Sequence, residues 1–267
     1  MVDVQALTEV QKAIWTAGDF AAVAPMLEDA SAAVVERLGV SADHDYLDVA
    51  TGSGNAAILG ARRGARTTGL DLVPKLIDAA RERSRQEGLD VEWILGDALN
   101  LPFAGDSFDR VSSVFGVMFA PDHATAAGEL VRVSRPGGVI AVTAWTPEGL
   151  NGQTFIRLGA LMGPPPEGVQ PPILWGTEGH VRELFAGHAV ETERRMLVME
   201  HESMEAWQEE SERNVGPLVL AKAALEPQGR WQAVRDELRA IYTEANEAEG
   251  GAMRVQSEYL LTTITVS

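Results

Sequence analysis

Apolar positions along residues 5–40 recur at helical spacing: Leu7, Val10, Ile14 and Trp15 form one series. Gly18-Asp19-Phe20 interrupts it, and a second series runs through Leu27, Val34 and Leu38. The spacing predicts two helices. From 45 to 145 the pattern changes to short apolar runs alternating with amphipathic stretches, the texture of βαβ units on a parallel sheet. The runs predict strands at 45–50, 66–70, 91–95, 108–114 and 138–145. Pro74 is suited to the first position of a helix that carries Leu76, Ile77 and Ala80 on one face. Asp122 reads as the N-cap of a helix through Val133, stopped by Pro136-Gly137-Gly138.

Beyond Trp145 the texture differs. A helix is predicted at 152–162, then Gly163-Pro-Pro-Pro-Glu-Gly-Val-Gln-Pro-Pro reads as extended loop. Helix 177–186 and strand 189–200 follow. A helical stretch comes next, broken at Pro227-Gln-Gly229, with Trp231, Val234, Leu238 and Ile241 on one buried face. Gly250-Gly251 turns into a final β-rich segment, 252–266, expected to join the main sheet. No internal repeat is visible.

With 267 residues and 45% hydrophobic content the chain can bury a full core as one domain. No apolar run approaches the ~18 residues of a membrane span, and Met-Val-Asp-Val-Gln-Ala-Leu lacks the basic and apolar regions of a secretory signal. The expected compartment is cytoplasmic. The absence of cysteine excludes disulfides and thiolate metal sites, and no metal is expected. The formal charge of −17 opposes nucleic acid and anionic membrane surfaces as partners. Small-molecule chemistry is favoured.

The densest signal is Tyr46-Leu-Asp-Val-Ala-Thr-Gly-Ser-Gly54, a buried strand running into a glycine loop, followed by Asn55 and an Ala-rich helix. Gly52-Ser-Gly-Asn-Ala-Ala fits a permissive dinucleotide fingerprint, which alone is weak because a tight βα turn needs glycines for its geometry. The acids decide. Asp71, 19 residues after Gly52, ends the second strand, where a carboxylate can accept both ribose hydroxyls. Asp97 ends the third strand and can accept from an adenine amine. Asp48 precedes the loop and suits a cationic ammonium, whereas it would repel a pyrophosphate.

Leu47-Asp-Val-Ala-Thr-Gly-Ser-Gly, Gly69-Leu-Asp-Leu, Gly96-Asp-Ala…Leu101-Pro-Phe, Ser107-Phe-Asp-Arg-Val and Arg135-Pro-Gly-Gly resemble, in that order, the motifs of class I S-adenosylmethionine-dependent methyltransferases, and most closely the ubiquinone/menaquinone-biosynthesis-type (type 11-like) group. The resemblance covers about 45–145. It implies an α/β, Rossmann-like fold: a seven-stranded, mostly parallel sheet with an antiparallel strand near the C-terminus and helices on both faces. It implies S-adenosylmethionine as cofactor and methyl transfer by in-line displacement to a small-molecule acceptor at O, N or C. By motif position, Asp48, Ala50, Gly52 and Gly54 shape the methionine end. Asp71 holds the ribose with Leu72 beside the adenine, Asp97 and Ala98 take the adenine edge, and Phe115 lines the methionine side. Thr51 stands where the family more often has Cys or Gly, and together with Asn55 completes the expected cofactor set. Asp109 starts its strand at the opposite edge and reads as structural.

The expected organisation is a single domain, 1–267: a helical cover (1–42), a cofactor-binding core (43–146), substrate-side lid segments (147–188 and 201–250) and terminal strands (189–200 and 252–266). Trp15 to Phe20, a stretch with Trp145, Phe155, Met162 and Trp175, and a group of Met196, Met199, Met204 and Trp207 are candidate acceptor walls, favouring an apolar or aromatic molecule. Each group equally suits core packing. His123 is the best-placed candidate base, at a helix start that favours neutral imidazole; a polar residue suited to an exposed first turn is the favoured explanation, as it is for His180, the second candidate. No catalytic base is assigned, nor an oligomeric state. An NAD(P)-dependent oxidoreductase using the same loop, a nucleic-acid amino-methyltransferase, and a non-catalytic S-adenosylmethionine-binding protein are the rival readings. The nucleic-acid enzyme is disfavoured by Ser113-Val-Phe115-Gly after the fourth strand.

Overall fold

A computed structural model describes residues 4–162 and 169–267. Its seven strands are β1 (Asp45–Val49), β2 (Arg66–Asp71), β3 (Val91–Leu95), β4 (Phe108–Val114), β5 (Ser134–Trp145), β6 (Ala189–His201) and β7 (Met253–Thr265). They form one sheet in the order β3-β2-β1-β4-β5-β7-β6. β1 to β5 pair in parallel, and β7 is inserted antiparallel between β5 and β6. The chain order reverses at β1, which has β2 on one side and β4 on the other. That reversal opens a crevice at the carboxyl ends of the strands.

The helices pack around this sheet: α1 (Val4–Thr16), α2 (Phe20–Val23), α3 (Glu28–Arg37), α4 (Asn55–Arg62), α5 (Pro74–Gln86), α6 (His123–Val133), α7 (Leu150–Met162), α8 (Glu178–Leu184), α9 (Met204–Asn214), α10 (Gly216–Leu225) and α11 (Trp231–Glu244). Pro74 opens α5 with Leu76, Ile77 and Ala80 buried beneath it. Asp122 caps α6, its carboxylate accepting from the Thr125 N–H at 3.0 Å. No helix among the described residues is long and apolar enough to cross a membrane.

The main core is built by the central strands, with Tyr46, Leu47, Val49, Leu70, Val111 and Ile140 essentially inaccessible. A smaller cluster joins Leu158, Ala221 and Leu225 to the Trp231, Val234 and Leu238 face of α11. Ile241 of that face is half-buried, and Tyr242 takes the buried place.

Three expectations change. The second N-terminal helix is broken: α2 passes into a 3-10 turn, Ala24–Leu27, carrying Pro25, before α3 begins. β5 starts at Ser134 rather than 138, because Phe108 pairs with Ser134 and Arg110 with Val139. The residues between make a bulge, in which Gly137 takes φ +76° and donates to the Val266 carbonyl at 2.8 Å. Of the proline-rich loop, 163–172, residues 163–168 lie outside the described residues, and its last proline opens a 3-10 turn, Pro172–Gly176, rather than extended chain.

Candidate active site

Ten of the eleven residues expected on the cofactor side line one cavity: Asp48, Ala50, Thr51, Gly52, Asn55, Asp71, Leu72, Asp97, Ala98 and Phe115. It holds about 130 Å³ of room for water-sized groups. The three acids reach it from the ends of adjacent strands, as the sequence predicts.

Asp48 is 2% exposed and, among the described residues, has no cation beside it. Its carboxylate accepts from Ser112 Oγ at 2.6 Å and Thr51 Oγ1 at 2.5 Å, and the buried Tyr46 hydroxyl lies 2.6 Å from Ser112 Oγ. These hydrogen bonds favour the ionised form, but burial outweighs them and holds the carboxyl up at about 6. Asp71 is also raised, again chiefly by burial. One of its oxygens accepts from the Gly52 N–H at 2.8 Å and the other from the Val73 N–H at 2.9 Å. The Leu72 N–H is a third backbone group that favours the ionised carboxylate. Asp97 accepts from the Leu99 N–H at 2.9 Å.

The glycine loop is tied down from inside. Its Thr51 N–H donates to the Leu70 carbonyl, its Gly52 N–H to Asp71 and its Gly54 N–H to the Thr51 carbonyl. Arg83 clamps it from behind, donating to the Ser53 carbonyl at 2.8 Å and Asn55 Oδ1 at 2.6 Å. A diphosphate would need those amides free. Among the described residues on the cavity wall there is no Lys, Arg or His. The donor set suits a ligand that accepts little and carries positive charge.

Gly54 is the exception to the expected set. It stands one layer behind the wall with φ +90°, and a Cβ there would lie 2.6 Å from Trp93 Cη2. The second loop glycine therefore makes room for an indole of β3, which the fingerprint alone does not reveal.

Backbone strain concentrates here. Three non-glycine residues among those described have positive φ, and two of them, Ala50 (+53°) and Phe115 (+52°), form the wall. The Phe115 N–H is held by Thr143 Oγ1 at 3.0 Å, and its ring stacks on Trp145 with centroids 3.8 Å apart and planes 11° apart.

The far wall comes from the N-terminal cover, where Thr8, Gln11, Trp15, Phe20 and Leu27 meet Phe119 from beyond β4. Trp15 meets Phe20 and Phe119 edge-on, and Phe119 touches Phe155 in turn. The sequence alone does not single out Thr8, Gln11 or Phe119; its only signal is that Thr8, Gln11 and Trp15 share one helical face. The other expected walls lie elsewhere. Trp175, Met199, Met204 and Trp207 are buried in the core and Met196 is exposed, none of them on the cavity surface. The Met162 side chain lies outside the described residues.

His123 is neither exposed nor on the wall. It is fully buried, edge-on to Trp175, with Nδ1 2.9 Å from His180 Nε2. Burial, then the neighbouring His180, pushes it down to about 4. Asp109, as expected, stays at the opposite edge, accepting from the Asp45 N–H at 2.8 Å and pairing with Arg135 at 2.7 Å.

Residues 47–142 match the model of a methyltransferase domain family. Uncharacterized protein Rv1405c of Mycobacterium tuberculosis is 35% identical over 263 residues, covering 97% of this chain and 95% of that one. The chain belongs to the class I S-adenosylmethionine-dependent methyltransferases, with a type 11 domain. Methyltransferase GfsG of Streptomyces halstedii is 43% identical over 110 residues, 40% of each protein. The fold is similar to that of the YcgJ protein from Bacillus subtilis, with a TM-score of 0.63 at 18% identity over 90% of this chain and 99% of that one. As a member of this family the chain is a methyltransferase whose cofactor is S-adenosylmethionine.

Proposed function

We propose that the chain transfers a methyl group from S-adenosylmethionine to a small apolar or aromatic acceptor. The observation that carries this reading is the charge and bonding of the cavity: three carboxylates, no basic side chain among the described wall residues, and the Thr51, Gly52 and Gly54 amides already bonded within the chain. An ammonium and a sulfonium outweigh one carboxylate, so the cofactor is a net cation, and an acidic crevice favours it. A dinucleotide is anionic, and the same crevice disfavours it.

In this reading Asp48 faces the ammonium, with Ala50, Thr51, Gly52 and Asn55 shaping the methionine end and Gly54 supporting the loop from behind. Asp71 accepts from the ribose hydroxyls, beside Leu72. Asp97 and Ala98 take the adenine edge. Phe115, pinned by Trp145 and Thr143, fixes the wall beside the methyl group. The cofactor supplies an activated sulfonium methyl, which an acceptor lone pair displaces in line to leave S-adenosylhomocysteine. The chain's contribution is then orientation and exclusion of water, with Trp15, Phe20, Leu27 and Phe119 forming a dry acceptor wall. No imidazole, amine or phenol lines the cavity among the described residues, so any proton that must leave the acceptor goes to a carboxylate or to solvent.

Calorimetry with S-adenosylhomocysteine tests the reading. Asp71→Ala and Asp97→Ala should each weaken binding by roughly 1–3 kcal/mol, the cost of losing a charged hydrogen-bond partner. Unchanged affinity in both, or tight binding of a nicotinamide dinucleotide, would overturn it.

A further inference from the structure

We propose that Thr8 and Gln11 are the polar half of the acceptor subsite and select an otherwise apolar, planar molecule that carries a neutral oxygen, a ketone or a hydroxyl. The inference rests on the methyl-transfer reading above and adds what the acceptor must present.

Six neutral polar side chains with an amide or hydroxyl lie on the cavity wall: Thr8, Gln11, Ser31, Thr51, Ser53 and Asn55. Four of them are engaged within the chain. Ser31 donates to the Leu27 carbonyl, Thr51 to Asp48, and Asn55 to the Ala24 carbonyl, while Ser53 accepts from Arg83. Thr8 and Gln11 have no hydrogen-bond partner among the described residues. Thr8 is nevertheless 8% exposed. The Thr8 hydroxyl is not sealed off: its oxygen opens onto the cavity without a partner in the chain, where a ligand atom can pair with it.

Their placement points to the acceptor rather than the cofactor. The carboxylates come from the tips of β1, β2 and β3, whereas Thr8, Gln11 and Trp15 sit three and four residues apart on one face of α1. Around them the wall is Trp15, Phe20, Leu27 and Phe119. Flat rings there suit a planar molecule. Neither Thr8 nor Gln11 is charged, and among the described residues the ionisable groups in the cavity are acids, so a carboxylate or phosphate on the acceptor would be repelled. A ketone or hydroxyl satisfies both side chains without that penalty.

The test uses two naphthalenes that differ only by a carbonyl in place of a methylene, 2-acetylnaphthalene and 2-ethylnaphthalene, titrated into protein saturated with S-adenosylhomocysteine and followed by tryptophan fluorescence. In the wild type the ketone should bind about tenfold tighter, the equivalent of one good hydrogen bond. In Gln11→Leu combined with Thr8→Val, checked as folded by its melting curve, the two should bind alike and the ethyl compound should keep its wild-type affinity. No preference in the wild type, a preference that survives the substitutions, or binding of neither compound overturns the proposal. So does a loss of S-adenosylhomocysteine affinity in the variant, which would place Thr8 and Gln11 on the cofactor. Failure of the wild type to bind S-adenosylhomocysteine would strike the cofactor reading instead, and the same titration on the bare protein would still decide this one.

Discussion

Gly116 faces Ala50 across the ends of β4 and β1 with no room for a methyl group: a Cβ there would lie 2.5 Å from Ala50 Cβ and 2.8 Å from the Ala50 carbonyl oxygen. Ala50 already holds a left-handed φ and cannot retreat cheaply. Gly116→Ala should therefore cost about 1–3 kcal/mol of stability through overpacking and weaken S-adenosylhomocysteine as the cavity wall shifts. Thermal melts and calorimetry on the variant check both effects.

Asp48 makes binding pH-dependent. Its carboxyl is held at about 6 by burial, and a cationic ammonium set beside it would favour the ionised form. Binding at about pH 6 should then release part of a proton, seen as a heat that varies with the ionisation enthalpy of the buffer. Affinity should rise from about pH 5 to about pH 7 as the carboxylate ionises. Asp48→Asn should abolish the released proton. A buffer-independent heat in the wild type would separate Asp48 from the ammonium.

Stability against acid should show two opposing slopes. The folded pKa of Asp48 lies above its unfolded value, so the native state binds the extra proton between about 4 and 6, and this group stabilises the fold as pH falls through that window. The folded pKa of His123 is depressed to about 4, so the unfolded state takes the proton first, and this group destabilises the fold as pH falls from about 6.5. Relative to wild type, Asp48→Asn should lose about 2 kcal/mol on going from about pH 6 to about pH 4, because a full proton bound only by the folded state is worth about 1.36 kcal/mol per pH unit and the difference is about half a proton at each end of that range. His123→Phe should instead gain over the same range. Urea midpoints across a pH series give the two difference curves, and slopes of the same sign would refute the assignment.

Asp109 provides the contrast, an acid in a family motif that is remote from the cavity. Asp109→Ala removes the bond to the Asp45 N–H and the partly solvated pair with Arg135. A loss of about 1 kcal/mol is expected after allowing for solvent screening. S-adenosylhomocysteine affinity should not move, as parallel melts and calorimetry would reveal.

The sheet is largely legible in the sequence because its strands are short apolar runs bounded by Gly, Pro and Asp, and because the carboxylates at the tips of β1, β2 and β3 follow from where those runs stop. What escapes depends on contacts between distant segments. His123 looks like an exposed first-turn residue until Trp175 and His180 cover it. Gly54 looks like a ligand glycine until Trp93 of β3 comes up behind it. The bulge at Pro136 to Gly138 has no periodicity to betray it. The methionines and Trp207 of 196–207 share their composition with a binding wall, and only packing shows that Met199, Met204 and Trp207 belong to the core.

β6 touches the sheet through β7 alone, and β7 comes later in the chain. While a ribosome is still producing the segment between them, residues 189–201 have no strand to pair with, and the free border of β5 stays open. The first five strands can assemble the cofactor crevice in that interval. Closure of the last third must wait for a strand that slides in between two others, so a nascent chain stalled before residue 253 would present two unpaired borders at once.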